Sequence, residues 1–287
     1  MPLVDPVTMS SSIAKGGVAA ARSSPAAVKG KTTTTFTSPT TAVAKLLPVQ
    51  LQQTPASQYT RHAVPALLAA LFVARFQSLV ADPVATMYSS LPVVAALQMA
   101  YALACLPIAG AAGSVGAGAG ARKPRPGDKK KIAGSGSSAG SGSGGDAAGR
   151  RPYPPVTAFL SLILTALATP FLFAAMVLFG APLLTHPAHT LLCAAHLAVL
   201  ALFPLFYVHG VDAAAWAAVA ACQAPLDDTF GGLVGGLAGA WLGAVPIPLD
   251  WDRAWQRWPV TILAGLYAGY LLGRALGGSW LLWGKKF

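Results

Sequence analysis

The 287 residues are 54% hydrophobic and only 10% charged, with 20 Lys and Arg against 9 acidic residues, for a net charge of +11. A soluble domain carries about 25% charged residues, so this balance, with a mean hydropathy of +0.57, excludes an ordinary soluble fold and indicates a polytopic membrane protein. The basic residues lie in polar segments without aromatic platforms or reader motifs. That excludes nucleic acid as the partner and assigns the charge to membrane orientation and anionic leaflets.

Residues 1–61 are rich in Ser, Thr, Ala and Pro, without apolar periodicity, and are expected to be a disordered basic tail. Their acid-poor composition also resembles a transit peptide, although no Arg-rich amphipathic helix is visible. Two spans follow within 62–108, at about 63–81 and 84–108. The first carries Arg75, which costs roughly 2.5–3.5 kcal/mol inside a span and must face the bundle, snorkel, or pair with a group such as Asp82. Residues 109–155 read as a basic, disordered Gly/Ser linker. The glycines Gly116, Gly118 and Gly120 there belong to low complexity, because no strand precedes them to make a nucleotide loop.

Four more spans are expected within 156–287, at about 156–180, 188–207, 229–249 and 260–282, with a short Ala/Trp stretch at 211–224 placed at the interface. The fold class is therefore all-α, a polytopic bundle of about six transmembrane helices. With six spans, the basic tail, the basic linker, Lys285 and Lys286 share the cytosolic side, leaving only Arg253 and Arg257 opposite. Both termini are thus placed in the cytosol.

The last third of the chain holds two glycine ladders in steps of four: Gly231, Gly235, Gly239, Gly243, and Gly265, Gly269, Gly273, Gly277. On a helix each ladder lines one narrow face where another backbone can approach. The ladders either pack on each other or receive a partner helix, and spacing alone leaves both open. Between them runs a turn with Asp250, Trp251, Asp252, Arg253, Trp255 and Trp258. Its tryptophans suit a water–lipid boundary, and its charges can neutralise one another or contact a partner.

Catalytic chemistry is thin. Asp227 with Asp228, and Asp250 with Asp252, could bind a divalent ion, but the span assignment puts the pairs at opposite faces. His186, His189 and His196 have metal-like spacing without a carboxylate or cysteine nearby, and read as interfacial polar residues. No GxSxG elbow occurs. The cysteines Cys105, Cys193 and Cys222 show no zinc or redox spacing and read as reduced. No catalytic residue, metal site or cofactor is assigned.

The stretch APLDDTFGGLVGGLAGAWLGAVPIPLDWDRAWQRWP, at 224–259, closely resembles the PIG-F family of glycosylphosphatidylinositol (GPI)-anchor biosynthesis proteins, in its fungal form with a low-complexity insertion after the second span. The resemblance is specific in the C-terminal third and topological from about His62 to Gly210. It implies a non-catalytic subunit in the endoplasmic reticulum membrane. That subunit would associate with and stabilise the large ethanolamine phosphate transferases that add phosphoethanolamine to mannoses of the GPI precursor. The terminal LysLysPhe lies one position off the usual dilysine retrieval pattern, so retention would rest on the partner or on a looser signal. The rival readings are a membrane-embedded enzyme acting on a lipid phosphate with the Asp pairs as metal ligands, and a lipid-moving protein using Arg75.

Overall fold

The computed structural model describes residues 46–109, 153–249, 251–279 and 282–285. The expectations of disorder at 1–45 and 110–152 fall outside the described residues, as do Asp250 and Lys286. All regular structure in the described residues is helical: α1 (Pro55–Ala81), α2 (Pro83–Cys105), α3 (Pro154–Leu178), α4 (Pro187–Leu197), a π-helical turn (Ala198–Leu202), α5 (Phe203–His209), α6 (Ala213–Ala220), α7 (Asp228–Ala244) and α8 (Val260–Gly277), with a 3-10 turn at Ala254–Gln256. Five of these are long and apolar enough to cross a membrane, counting Pro187–His209 as one continuous helix. The expected fifth span, α7, has 17 residues.

Helix starts follow local chemistry. Proline occupies the first turn of α1, α2, α3 and α4, where its missing N–H costs nothing. Thr54 accepts the Ser57 N–H at 3.1 Å and Asp82 accepts the Ala85 N–H at 3.1 Å, so α1 and α2 are each capped by a side chain. The cap at Thr54 starts α1 two turns ahead of the expected 63, and residues 46–54 are folded too. Val49 and Leu51 are buried, and the Gln52 N–H donates to the Cys105 carbonyl at 2.9 Å. Composition assigned this segment to the tail because its two anchoring residues are too few to make a period. Helix ends also differ from the hydropathy bounds. Pro246 and Pro248 stop α7 at Ala244, short of 249, and paired Gly277 and Gly278 stop α8 short of 282.

Along α3, hydroxyl side chains are satisfied by the helix backbone, without water. On α3 the hydroxyls of Thr157, Ser161, Thr165 and Thr169 each donate to the carbonyl four residues back, at 2.7–3.3 Å. The π-helical turn precedes Pro204, whose ring and missing N–H disturb the ordinary ladder of the preceding turn. The core between α1, α2, α5 and α8 is filled by Leu68, Met87, Tyr101, Phe203, Tyr207, Leu266 and Tyr270. Within it Gln98 on α2 hydrogen-bonds the Tyr270 hydroxyl on α8 at 2.8 Å.

This buried pair gives a direct test. Gln98→Leu strands the Tyr270 hydroxyl and is expected to lower stability in detergent by about 1–2 kcal/mol. Adding Tyr270→Phe removes the stranded group and is expected to recover most of that loss. Thermal unfolding of the two variants and of the double variant checks it.

Candidate functional site: a glycine seam and its two ends

The most extensive helix contact in the described residues is between α7 and α8, which run antiparallel. All eight ladder glycines lie on it and face one another. A Cβ built on Gly231, Gly235 or Gly239 would run into the carbonyl oxygen of Gly273, Gly269 or Gly265, and the reverse holds for each partner. The pairing continues past the glycines at both ends, from Gly243 to the Thr261 carbonyl and from Gly277 to the Asp227 carbonyl. Such a Cβ on Gly235 would also lie 2.7 Å from the Gly273 Cα, and one on Gly239 would lie 2.8 Å from the Gly269 Cα. No side chain fits at these positions. The Cα–H that a side chain would replace points instead at a carbonyl, and such contacts contribute about 0.5–1 kcal/mol each. Gly232 and Gly236, between the rungs, meet side chains and no backbone, Tyr270 nearest for the first and Leu266 for the second.

At the end where α7 starts, the seam is closed by charge. Asp227 caps the helix: its Oδ1 accepts the Thr229 N–H, the Thr229 hydroxyl and the Phe230 N–H at 2.7–2.9 Å, and its Oδ2 accepts the Val49 N–H at 2.9 Å. Leu226 exchanges two backbone hydrogen bonds, both 2.8 Å, with Gly284 and Lys285. The pre-α1 segment, the start of α7 and the C-terminal residues are therefore tied at one point. Asp228 is buried beside Arg274 and Arg61. Arg274 is only 4% exposed and lays its guanidinium 3.7 Å above the centroid of the Tyr101 ring, while its Nη2 donates to the Arg61 carbonyl at 3.4 Å. Gly278 leaves the room that the Asp228 carboxylate fills. Asp227 thus serves as the helix cap, and Asp228 sits in the field of the two arginines with its Oδ1 unpartnered. Among the described residues, no group of three or more His, Cys, Asp and Glu is placed to hold a metal.

Arg61 and Arg274 were not singled out by the sequence reading. The antiparallel register of the ladders carries the missing signal. Once Gly239 is set opposite Gly265, counting outward brings Asp227 and Asp228 level with 274–277.

At the other end, the turn is organised by Gln256, a residue that neither charge nor hydropathy singled out. Its amide donates to the Pro246 carbonyl, and its carbonyl accepts the Trp251 N–H at 3.2 Å. Trp251 and Trp255 are exposed with ring centroids 5.8 Å apart, Asp252 and Arg253 are exposed, and Trp258 is half-buried. Asp252 has φ of +49°, a strained backbone position that Asp tolerates better than most residues. Beside the turn, an apolar groove of about 460 Å³ runs along the outer side of the seam, between Phe76 of α1, Trp255 of the turn, and the Gly239, Gly243, Gly265 and Gly269 backbones.

The histidines are split. The His186 and His189 rings stand 4.9 Å apart at the start of α4. His196 is not interfacial: it is fully buried, with Nδ1 2.9 Å from the Leu192 carbonyl and Nε2 3.3 Å from Ser90 Oγ. Its position two turns into an apolar helix, facing a serine on α2, explains the difference. Cys105 and Cys193 are buried and Cys222 exposed, all three free.

These features define a polytopic helical membrane protein organised on a glycine-seamed hairpin whose two ends are chemically distinct. Residues 63–278 match the GPI biosynthesis protein family Pig-F, and the chain belongs to that family. It is a membrane protein of GPI-anchor biosynthesis. It is 60% identical over 292 residues to a Neurospora crassa protein named glycosylphosphatidylinositol anchor biosynthesis protein 11, with 100% of both chains covered. It is 47% identical over 286 residues to the Pyricularia oryzae protein of the same name, covering 98% of this chain and 96% of that one. A Homo sapiens protein named GPI ethanolamine phosphate transferase, stabilizing subunit, is 35% identical over 136 residues, 46% of this chain and 62% of its own. No solved structure matches.

The seam makes an asymmetric expectation for two neighbouring glycines. Gly239→Ala forces the α7 and α8 backbones apart and is expected to cost about 1–3 kcal/mol. Gly236→Ala meets only the movable end of Leu266, 3.3 Å away. It also gains about 1 kcal/mol of helix propensity, so it is expected to be near neutral. Thermal unfolding of the two purified variants separates them.

Proposed function

We propose that this protein is a non-catalytic subunit of the endoplasmic reticulum membrane, with both termini in the cytosol. It associates with and stabilises the ethanolamine phosphate transferases that add phosphoethanolamine to mannoses of the GPI precursor. The name of the human relative carries the transferase part of this reading. The single structural observation that supports it is the seam. It occupies both glycine faces within the chain and so holds α7 and α8 as one unit, leaving on this hairpin the tryptophan turn and the outer groove for contact with another protein. The division of labour is then physical. The glycines set the position of the turn, and Trp251, Trp255, Arg253 and the groove make the contact.

The test is affinity purification of the tagged full chain in mild detergent, with mass spectrometry of what accompanies it. A large transferase near equal stoichiometry is expected. Trp251→Ala is expected to lower its recovery by about tenfold, the range of a single interface aromatic, without moving the thermal midpoint of the subunit. Gly239→Leu is expected to lower both. A subunit that purifies alone and turns over a lipid phosphate, with loss of turnover in Asp227→Asn or Asp252→Asn, would overturn the proposal in favour of an enzyme.

A further inference from the structure

Arg75 belongs to neither the seam, its caps nor the turn. It is exposed on the outer side of α1, seven residues before Asp82 and so roughly 10 Å from the end of the helix. The 27 residues of α1 extend about 40 Å against a hydrocarbon core of about 30 Å. Arg75 therefore stands close to the hydrocarbon boundary, where an arginine reaches the level of lipid phosphates. Asp82, the acidic residue next along the chain, spends its carboxylate on the N-terminus of α2 by accepting the Ala85 N–H at 3.1 Å.

Arg75 forms one wall of a recess between α1, α2 and α8, which it shares with Thr86, Ser90, Phe72 and Tyr267. Thr86 and Ser90 are buried polar residues, 6% and 7% exposed. Ser90 is held from behind: its Oγ lies 3.2 Å from the Met87 carbonyl and 3.3 Å from His196 Nε2, whose Nδ1 is 2.9 Å from the Leu192 carbonyl. With its one proton taken up by these neighbours, the Ser90 hydroxyl is fixed in place. The Phe72 and Tyr267 rings stack with centroids 4.8 Å apart and close the recess on its apolar side. The space inside is about 20 Å³, room for one oxygen-sized group and no more.

We infer that Arg75 and this recess bind the phosphodiester of a membrane phospholipid, one phosphate oxygen entering beside Thr86 while the guanidinium carries the charge from outside. A cation at the boundary, the buried Thr86 hydroxyl behind it and a space limited to a single oxygen fit a phosphate better than a carboxylate side chain. A carboxylate would have to bring a partner backbone against an apolar rim. The site is separate from the groove beside Trp255, and it stands whether or not the transferase reading holds.

The test uses the purified full chain, washed to remove lipid and then exposed to detergent micelles containing dioleoyl phosphatidylcholine. Wild-type protein is expected to retain one phospholipid per chain. Arg75→Gln is expected to weaken retention by about tenfold, the effect of losing one charge-assisted contact. Arg75→Lys keeps the charge and is expected to retain most of it, and Thr86→Val is expected to weaken it less than Arg75→Gln. Lys285→Gln, at the opposite end of the hairpin, is expected to leave retention unchanged, and an unshifted thermal midpoint for Arg75→Gln shows that folding is not the cause. Equal retention by wild type and Arg75→Gln overturns the inference. Displacement of the lipid by inorganic phosphate would reassign the recess to a free anion. Loss of a co-purifying protein from Arg75→Gln with lipid retained would reassign Arg75 to a protein carboxylate.

Discussion

Two helices approach until their backbones touch only where no side chain stands between them, and in this protein that condition is met over the whole length of α7 and α8. Each rung of the seam sets a glycine Cα against a carbonyl of the opposite helix, so the separation of the helices is fixed by backbone alone. In a bilayer the lipid tails are as apolar as leucine, and close packing replaces the hydrophobic effect as the force between helices. A single added methyl group disturbs such a contact, because it would meet backbone of the opposite helix.

The remaining features of the hairpin follow from that constraint. At 17 residues α7 is about 26 Å long, somewhat short of a bilayer core, and hydrogen-bonded turns from Val245 to Leu249 carry the chain onward. At one end the helix dipoles are met by charge of the right sign: Asp227 and Asp228 at the start of α7, Arg274 in the last turn of α8. The segment around Val49 and the residues around Gly284 are tied to the same point, so the hairpin holds distant parts of the chain. At the other end Gln256 folds the turn onto the Pro246 carbonyl, which leaves the indoles of Trp251 and Trp255 facing outward. One end anchors the hairpin to its own bundle, and the other offers aromatic surface to the outside.

Much of this was legible before any coordinates. The helical class and the family come from hydropathy and from the 224–259 stretch, because long apolar runs and glycine periods are local signals. The sequence left open whether the ladders meet each other or a partner, since a step of four glycines looks the same from either side. Only the antiparallel register settles where each glycine points. The charged cap was missed for a related reason. Arg61, Asp228 and Arg274 lie far apart in the chain, and nothing local distinguishes a buried guanidinium over a tyrosine from a snorkelling one. His196 was misplaced to the interface because an imidazole satisfied by Ser90 and a backbone carbonyl leaves no trace in hydropathy. Residues 46–54 were given to the tail because two buried side chains and a few backbone hydrogen bonds make no periodic pattern.

The central claim is that the glycine faces are spent within the chain and that another protein meets the hairpin elsewhere. An experimental structure of the complex purified from membranes tests it most directly, at a resolution that shows side chains along α7 and α8. The expected result is eight glycines facing one another with no foreign side chain between them, and a second protein seated against Trp251, Trp255 and the groove. A partner helix lying between α7 and α8, with its side chains over Gly235 and Gly269, would contradict the account.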